Sequence, residues 1–355
     1  MAHGIQLKPI LDAQKKHGPI FRRELFDIAY KSWISIEENA PENKVSSEQE
    51  SSRLRRFLDT KAVVADIYGI KRETSLSRDD YMEEVDKQTY KFKRCWTYHD
   101  IQDLGYRYCN NHGNLLPFDI GTRGDPVQEE VEDDTIPPDF HIKAAEFHSD
   151  WEASDIHHRL VAFLEEHAGT TTQVDQIICF GLVSPVSSRH PRILRRAYTQ
   201  HLAACTIRDL FARHQNSPAP KILAQDPRYT PIDMAYLSTH FSTTTLPDPE
   251  AFRALNGTTF VISISPDVPV RQVALGMTHD SGGPAGFLCC AIEDNGLGCK
   301  SVTMQNGEEV FRFTDNSSPG LWEFKQKGVW AEWDDLEGGE VEDCFGSVGC
   351  YLKRK

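Results

Sequence analysis

Short apolar runs alternate with segments of helical periodicity between residues 174 and 292, and this alternation limits the possible folds more than any other feature of the sequence. β-Branched and aromatic residues are frequent in these runs, as they are in β-strands. Strands that alternate with helices form βαβ units, which build parallel sheets covered by helices. The sequence therefore predicts an α/β fold, with a mostly parallel sheet of about five strands and helices on both faces. The five strands are predicted at 176–180, 221–225, 241–246, 259–264 and 286–292.

The segment before these strands differs in composition. Residues 1–118 are polar, with islands of helical periodicity at 21–29, 54–58 and 64–68, and they predict a variable helical N-terminal region that is partly disordered. Residues 79–104, which mix charged and aromatic side chains, are predicted to form a further helix.

An acidic linker is predicted at 119–139. Six Asp and Glu residues occur between positions 125 and 134 without a Lys or Arg among them, and two prolines follow at 137 and 138. Repulsion between like charges and the presence of proline both oppose a packed element.

The α/β domain is predicted over 140–292, and it includes helices at 151–167 and 191–214. Residues 293–355 are acidic and contain tryptophans among Gly, Asp and Glu, so they predict an acidic, aromatic-containing C-terminal extension.

The overall charge limits the classes of partner. The chain has 39 Lys and Arg residues against 53 Asp and Glu residues, which gives a net charge of −14. Affinity for nucleic acid and for anionic membranes comes mainly from clustered cations, so both are disfavoured as partners. The sequence has no apolar segment long enough to span a membrane and no secretory signal. Together with nine cysteines that include no C-x-x-C pair, this predicts a cytoplasmic or nuclear protein with free thiols and no metal site.

Ligands of open α/β sheets bind at the carboxyl ends of the strands, and this rule selects the candidate site residues. Gly181 ends the first strand and lets a ligand approach the backbone, while Ser184 can donate to a phosphate or carboxylate. Arg189 and Arg192 precede and begin the following helix, where a bound anion would be favoured. The loop lacks the second glycine of G-x-G-x-x-G, since Val183 stands there, and a tight strand-to-helix turn is the alternative interpretation.

Two more strand ends supply candidates. Asp226 follows the second strand, where an acid can accept hydrogen bonds from ribose hydroxyls, although Asp226 with Pro227 is also a plain turn. Ser263 and Ser265 end the fourth strand and are predicted to share one face of it. The sequence identifies neither a catalytic residue nor a cofactor.

Several of these motifs together resemble the SRR-like domain family, named for "sensitivity to red light reduced". The similar stretches are 177–184 (IICFGLVS), 198–210 (YTQHLAACTIRDL), 225–231 (QDPRYTP) and 261–266 (VISISP), and the chain most resembles fungal members. The resemblance implies a regulatory protein on a Rossmann-like frame, and it carries over Gly181, Ser184, Gln200, Asp226 and Pro227. Val183 and the Ser-Pro-Asp ending of the fourth strand depart from the family pattern.

Two hypotheses about function follow. The first is a non-enzymatic regulatory protein that binds protein partners. The second is a nucleotide- or S-adenosylmethionine-dependent enzyme with its pocket at the 181–189 loop and Asp226, so that an anionic small molecule or nucleotide is the ligand.

Overall fold

The fold is that of a computed structural model, which describes residues 5–38, 61–75, 77–78, 90–110, 114–126, 135–188, 190–293, 300–303, 309–312, 315–336 and 339–355. The chain forms two compact units, residues 1–133 and 134–355. Within the described residues, no helix is both long and apolar enough to cross a membrane.

The N-terminal unit combines helices with short sheets. Its described elements are α1 Lys8–His17, α2 Arg23–Glu38, β1 Lys61–Ala65, β2 Lys71–Ser75, β3 Ser77–Arg78, β4 Tyr90–Tyr98, α3 Ile101–Cys109 and β5 Phe118–Pro126. β1 and β2 pair as an antiparallel hairpin, and β5 pairs with β3 in parallel and with β4 antiparallel. Aromatic rings fill its core, where Phe26 stacks on Trp96 and Phe21 meets Phe118 edge to face.

Two of our predictions for this unit are wrong, a third is wrong in part, and one is confirmed. The helix at 21–29 is present as part of α2, and the one predicted at 54–58 lies outside the described residues. Residues 64–68 are instead the end of β1 and a turn, and β4 occupies 90–98 within the helix predicted at 79–104. The aromatic residues at 90, 92, 96 and 98 recur with the period of two that is typical of strands. The first part of the linker predicted at 119–139 is wrong, because residues 119–126 belong to β5, which pairs with β4 along nine residues. Residues 127–134 lie outside the described residues.

The C-terminal unit contains the predicted α/β sheet. Its helices are α4 Phe140–Ala153, α5 Asp155–His167, α6 Pro191–Gln215, α7 Pro231–Phe241, α8 Glu250–Ala254, α9 Val270–Met277 and α10 Pro319–Lys327. Its strands are β6 Gln176–Phe180, β7 Lys221–Gln225, β8 Thr243–Thr245, β9 Thr259–Ser263, β10 Gly286–Cys290, β11 Lys300–Thr303, β12 Glu309–Arg312, β13 Val329–Trp333 and β14 Val348–Leu352. All five predicted strands are present as β6 to β10, which confirms the fold class.

Seven strands form the central sheet in the order β13-β14-β10-β9-β6-β7-β8. β6 to β10 are mutually parallel, whereas β14 runs antiparallel to both β10 and β13. β11 and β12 pair with each other as a separate hairpin. Two strands of the central sheet, β13 and β14, therefore come from the segment predicted as a C-terminal extension.

Helices cover both faces of this sheet. α4 to α7 pack on one face, where Leu160, Leu202 and Leu237 are fully or almost fully buried. On the other face, the ring of Phe180 stacks on Phe252 of α8, and Phe287 meets Phe324 of α10. A parallel sheet needs this double cover because its strands are apolar on both sides.

The segment that joins β13 to β14 packs on the face covered by α4 to α7, and we call its described residues, 334–336 and 339–347, the strap. Its described part is anchored by the Cys344 carbonyl, which accepts a hydrogen bond of 2.7 Å from a buried glutamine of α6, and by Phe345, whose ring packs against Trp151. Arg195 of α6 forms an ion pair of 2.7 Å with Glu340 of the strap. The strap thus completes the core rather than extending beyond it.

β10 and β14 approach each other closely at one end. A Cβ atom at Gly286 would lie 2.4 Å from the Tyr351 carbonyl oxygen, so glycine is required there for the antiparallel pairing.

A buried ion pair holds the start of α9. Arg271 and Asp315 are 3% and 5% exposed, and Arg271 Nε donates to Asp315 Oδ2 over 2.8 Å. The Arg271 guanidinium also donates to the carbonyl of Cys290 at the end of β10, over 2.9 Å. This arginine therefore joins a helix, a strand and the segment that precedes α10.

Replacing Arg271 by Met should lower the free energy of unfolding by about 3–5 kcal/mol, because the buried Asp315 carboxylate would lose its cation. Urea unfolding followed by circular dichroism measures this loss. Lys327→Met removes a fully exposed ion pair with Glu323 and serves as the control, with an expected change below about 0.5 kcal/mol. Equal effects of the two substitutions would contradict the assignment.

Candidate functional site

The order of the central sheet reverses between β6 and β9, and we call the region outside the carboxyl ends of these strands the crevice. The chain passes outward from β6 to β7 and β8, and then returns to the other side of β6 for β9 and β10. The loops after β6 and β9 consequently leave the sheet in opposite directions, and ligands of such sheets bind where this reversal occurs. The candidate residues Gly181 and Ser265 follow these two strands.

The loop after β6 has an unusual backbone. Gly181 has φ +69°, and a Cβ atom there would lie 3.4 Å from the Cβ of Pro266, which follows β9. Val183 also has a positive φ, +63°, a conformation that is rare for a β-branched residue. The Val183 N–H donates to Asp226 Oδ2 over 2.7 Å, which compensates for this strain.

Asp226 lies at the end of β7, as the strand pattern predicts, and both of its oxygens accept backbone hydrogen bonds. Oδ1 accepts from the N–H of Arg228 over 2.8 Å, so the carboxylate shapes the turn in which Pro227 is exposed. Burial raises the pKa of the Asp226 carboxyl, and the nearby Asp267 carboxylate raises it further, against the lowering effect of the two backbone hydrogen bonds.

A carboxylate that the sequence analysis did not select, Asp233 of α7, binds the rest of the β6 loop. Asp233 is fully buried, and its Oδ1 accepts from the hydroxyl of Ser184 over 2.7 Å. Its Oδ2 accepts from the hydroxyls of Ser187, over 2.7 Å, and Thr230, over 2.8 Å. The backbone N–H groups of Val186, Ser187 and Thr230 donate to the same carboxylate.

Asp233 stays ionised because of these donors. Burial alone would raise the pKa of its carboxyl, but the hydrogen bonds from Ser184, Thr230 and Ser187 lower it below the ordinary value. The pattern Thr230-x-x-Asp233 is a capping box, and it could have indicated the helix start but not the bonds to Ser184 and Ser187. The hydroxyl of Ser184 is thus engaged within the protein.

The arginines near the start of α6 have different surroundings. Arg189 lies outside the described residues, and Arg192 is exposed. Arg195 forms ion pairs with Asp150 as well as with the strap. Arg196 donates through Nη2 to the carbonyl of Ile264, just after β9, over 2.7 Å.

The two serines predicted to share a face are separated by the end of β9. Ser263 is the last residue of the strand and is fully buried, and its hydroxyl has no hydrogen-bond partner in the described part of the chain. Ser265 lies beyond the strand with φ +51° and is exposed, and its hydroxyl is 3.2 Å from Cys290 Sγ. The alternation of side chains between the two faces of the sheet therefore ends with β9, and Ser265 does not share a face with Ser263.

Two buried polar residues of α6 lie in the core of the unit. Gln200 is 1% exposed and donates through Nε2 to the strap, while its Oε1 is unpaired among the described residues. His201 is also 1% exposed, with Nε2 at 3.2 Å from the hydroxyl of Tyr229. Burial lowers the pKa of His201 to about 3.

These positions can be compared with known proteins. Residues 160–295 match the family model described as the SRR1 domain, a segment that starts within α5 and ends after β10. This segment is an SRR1-like domain. The match includes all five parallel strands and less than half of the chain, and no curated protein and no solved structure matches. The family predicted from the sequence is confirmed, and the fungal subgroup stays a prediction.

The described residues contain no group of three or more His, Cys, Asp or Glu side chains placed to hold a metal ion. Gly181, Asp226 and Ser265 follow the adjacent strands β6, β7 and β9, while Ser184, Gln200 and Ser263 are buried.

Asp233→Asn should destabilise the domain by about 3 kcal/mol, because the buried donors of Ser187 and Thr230 would face a neutral group that carries its own donors. Urea unfolding measures the loss. Asp209→Asn, which removes an exposed carboxylate of α6, is the matched control and should change the stability by less than about 0.5 kcal/mol. A loss below about 1 kcal/mol for Asp233→Asn would show that the loop does not depend on this charge.

The low pKa of His201 predicts a pH-dependent stability. The unfolded chain takes up a proton near pH 6.5, whereas the folded chain does not, so acid favours the unfolded state. Between pH 8 and pH 5, the unfolding free energy should therefore fall by about 2 kcal/mol through this residue. Urea unfolding of His201→Gln over the same range should lack that part of the fall, while the exposed His279→Gln should retain it.

Proposed function

We propose that the protein is a non-enzymatic regulatory protein whose SRR1-like domain is an interaction module on a Rossmann-like frame. One observation carries this proposal: the serine hydroxyls of the loop after β6 and the carboxylate after β7 already form hydrogen bonds within the protein. The hydroxyls of Ser184 and Ser187 donate to Asp233, and the carboxylate of Asp226 holds two backbone N–H groups. A hydroxyl proton that is donated to a buried carboxylate is not directed at a substrate.

The surroundings of the arginines support the same proposal. Of the cations at the start of α6, Arg195 is neutralised by carboxylates of α4 and the strap, and Arg196 binds a carbonyl after β9. Both side chains therefore stabilise the unit, which leaves Arg192 as the exposed cation of this part of the helix among the described residues.

A second candidate function is a nucleotide- or S-adenosylmethionine-dependent enzyme with its pocket at the 181–189 loop. The observation in its favour is the position of Asp226 beside the crevice, with a raised pKa and a second carboxylate, Asp267, nearby. An acid after the second strand can accept hydrogen bonds from the ribose of such a ligand. An anionic small molecule would then have Arg192 as its exposed cation.

The remaining assignments follow from the leading proposal. Other proteins are the proposed partners, and the acidic charge of the chain disfavours nucleic acid. We place the protein in the cytoplasm or the nucleus on the basis of its cysteine usage and its family.

A ligand screen on the full chain separates the two functions. Melting temperatures are measured with ATP, GTP, NAD, NADP and S-adenosylmethionine, and the interaction module should show no shift with any of them. A ligand at 100 times its dissociation constant would stabilise the fold by about 2.7 kcal/mol, or roughly 5–10 °C. A shift of that size would overturn the leading proposal.

Asp226→Ala is the matched variant in this screen. Under the second function it should abolish the shift, whereas Asp209→Ala, on the outer side of α6, should leave it unchanged. Under the leading function, partners that copurify with the wild-type chain should copurify equally with Asp226→Asn. Failure to recover any specific partner with either chain would count against the interaction module.

A further inference from the structure

Ser187 is the exposed member of the group of side chains around Asp233. Asp233 is fully buried and Ser184 is 5% exposed, whereas Ser187 lies at the surface of the loop. Its hydroxyl is 2.7 Å from Asp233 Oδ2 and 2.6 Å from the hydroxyl of Ser184. Ser187 is therefore accessible to another protein, although the carboxylate that its hydroxyl binds is buried.

We propose that Ser187 is a phosphorylation site, and that its phosphorylation releases the 182–188 loop from Asp233. The inference concerns the control of the loop beside the crevice, and it is independent of whether that crevice binds a protein or a small molecule.

The modification is an ordinary phosphoryl transfer from a nucleoside triphosphate, catalysed by a protein kinase. A bond forms between Ser187 Oγ and the γ-phosphorus, and the bond from that phosphorus to the β-phosphate oxygen breaks. The hydroxyl proton passes to a base of the kinase, and the nucleoside diphosphate leaves. No oxidant or reductant takes part.

Phosphorylation changes the attraction between Ser187 and Asp233 into repulsion. Before transfer, the Ser187 hydroxyl donates to the Asp233 carboxylate, and a hydrogen bond to a charged acceptor is stronger than one to a neutral acceptor. After transfer, the oxygen has no proton to donate, and it carries a charge of about −1.5 to −2 next to the negative Asp233. Like charges at this distance in a partly buried position repel each other strongly.

The effect of phosphorylation extends beyond one hydrogen bond, because the Asp233 carboxylate binds both the loop after β6 and the loop after β7. The N–H groups of Val186 and Ser187 donate to Asp233 Oδ1, each over 3.2 Å, and would lose their acceptor when the loop moves away. Thr230, the N-cap of α7, shares Oδ2 with Ser187, so the start of this helix is coupled to the same event. Phosphorylation would therefore loosen the loop after β6 and the first turn of α7 together.

The first experiment asks whether the site is used. The full-length protein is incubated with ATP, phosphatase inhibitors and a soluble extract of the cells in which it naturally occurs, and phosphorylated residues are located by mass spectrometry. Phosphate at Ser187, lost in Ser187→Ala, is the expected result. Phosphate on other residues only, or on none, would overturn the proposal.

The second experiment measures the consequence by hydrogen exchange. Full-length protein with phosphoserine incorporated at position 187 should exchange the amides of Val186, Ser187 and Thr230 about ten-fold or more faster than the unmodified chain. Phosphatase treatment should restore slow exchange. Phosphoserine at position 188, whose side chain is half-buried and makes none of the described hydrogen bonds to Asp233, is the matched control and should leave these amides unchanged.

Ser187→Ala distinguishes charge from the loss of one hydrogen bond. This variant removes the donor without adding a charge, and it should accelerate exchange much less than the phosphate does. Equal exchange in Ser187→Ala and the phosphorylated chain, equal effects of phosphate at 187 and 188, or unchanged exchange in all forms would each overturn the release mechanism.

Discussion

The central sheet of the C-terminal unit must be covered on both faces, and the rest of that unit depends on this constraint. Parallel strands such as β6 and β9 are apolar on both sides, so water has to be excluded from each face. One face is covered by four helices and the strap, and the other by α8, α9 and α10. Polar groups drawn into these layers then need partners inside the protein.

The buried polar residues show how that need is met. Arg271 pairs with Asp315, and Asp233 collects three hydroxyl and three backbone donors. Lys325, 4% exposed, binds both oxygens of Glu332. Arg271–Asp315 and Ser184–Asp233 join segments more than 40 residues apart in the sequence, so the contacts that satisfy these charges also fix the positions of the segments that carry them. The strand ends are held by the fold itself, which is why we favour recognition of a partner over catalysis.

The sequence was sufficient to predict the parallel strands, because each is a short apolar run bounded by turn residues. It also placed Asp226 at a strand end, since that position depends only on where β7 stops. It was insufficient for β13, in which Glu332 interrupts the apolar pattern and is neutralised by a lysine from α10. The sequence was also insufficient to predict the role of Asp233, because the βαβ topology alone brings its donors at 184 and 187 close to it. Aromatic residues at alternate positions of β4 indicated a strand, but the mixed charges of that segment obscured this pattern.

The position of β14 inside the sheet has a consequence for the order of assembly. β14 lies between β10 and β13, although β13 precedes it in the chain. The edge strand can therefore join the sheet only after a strand that is synthesised later has been inserted. Until then β10 is the edge of the parallel part of the sheet. Closure of this side of the sheet therefore depends on β14, and the matched family segment, which ends at residue 295, excludes the strands that perform it.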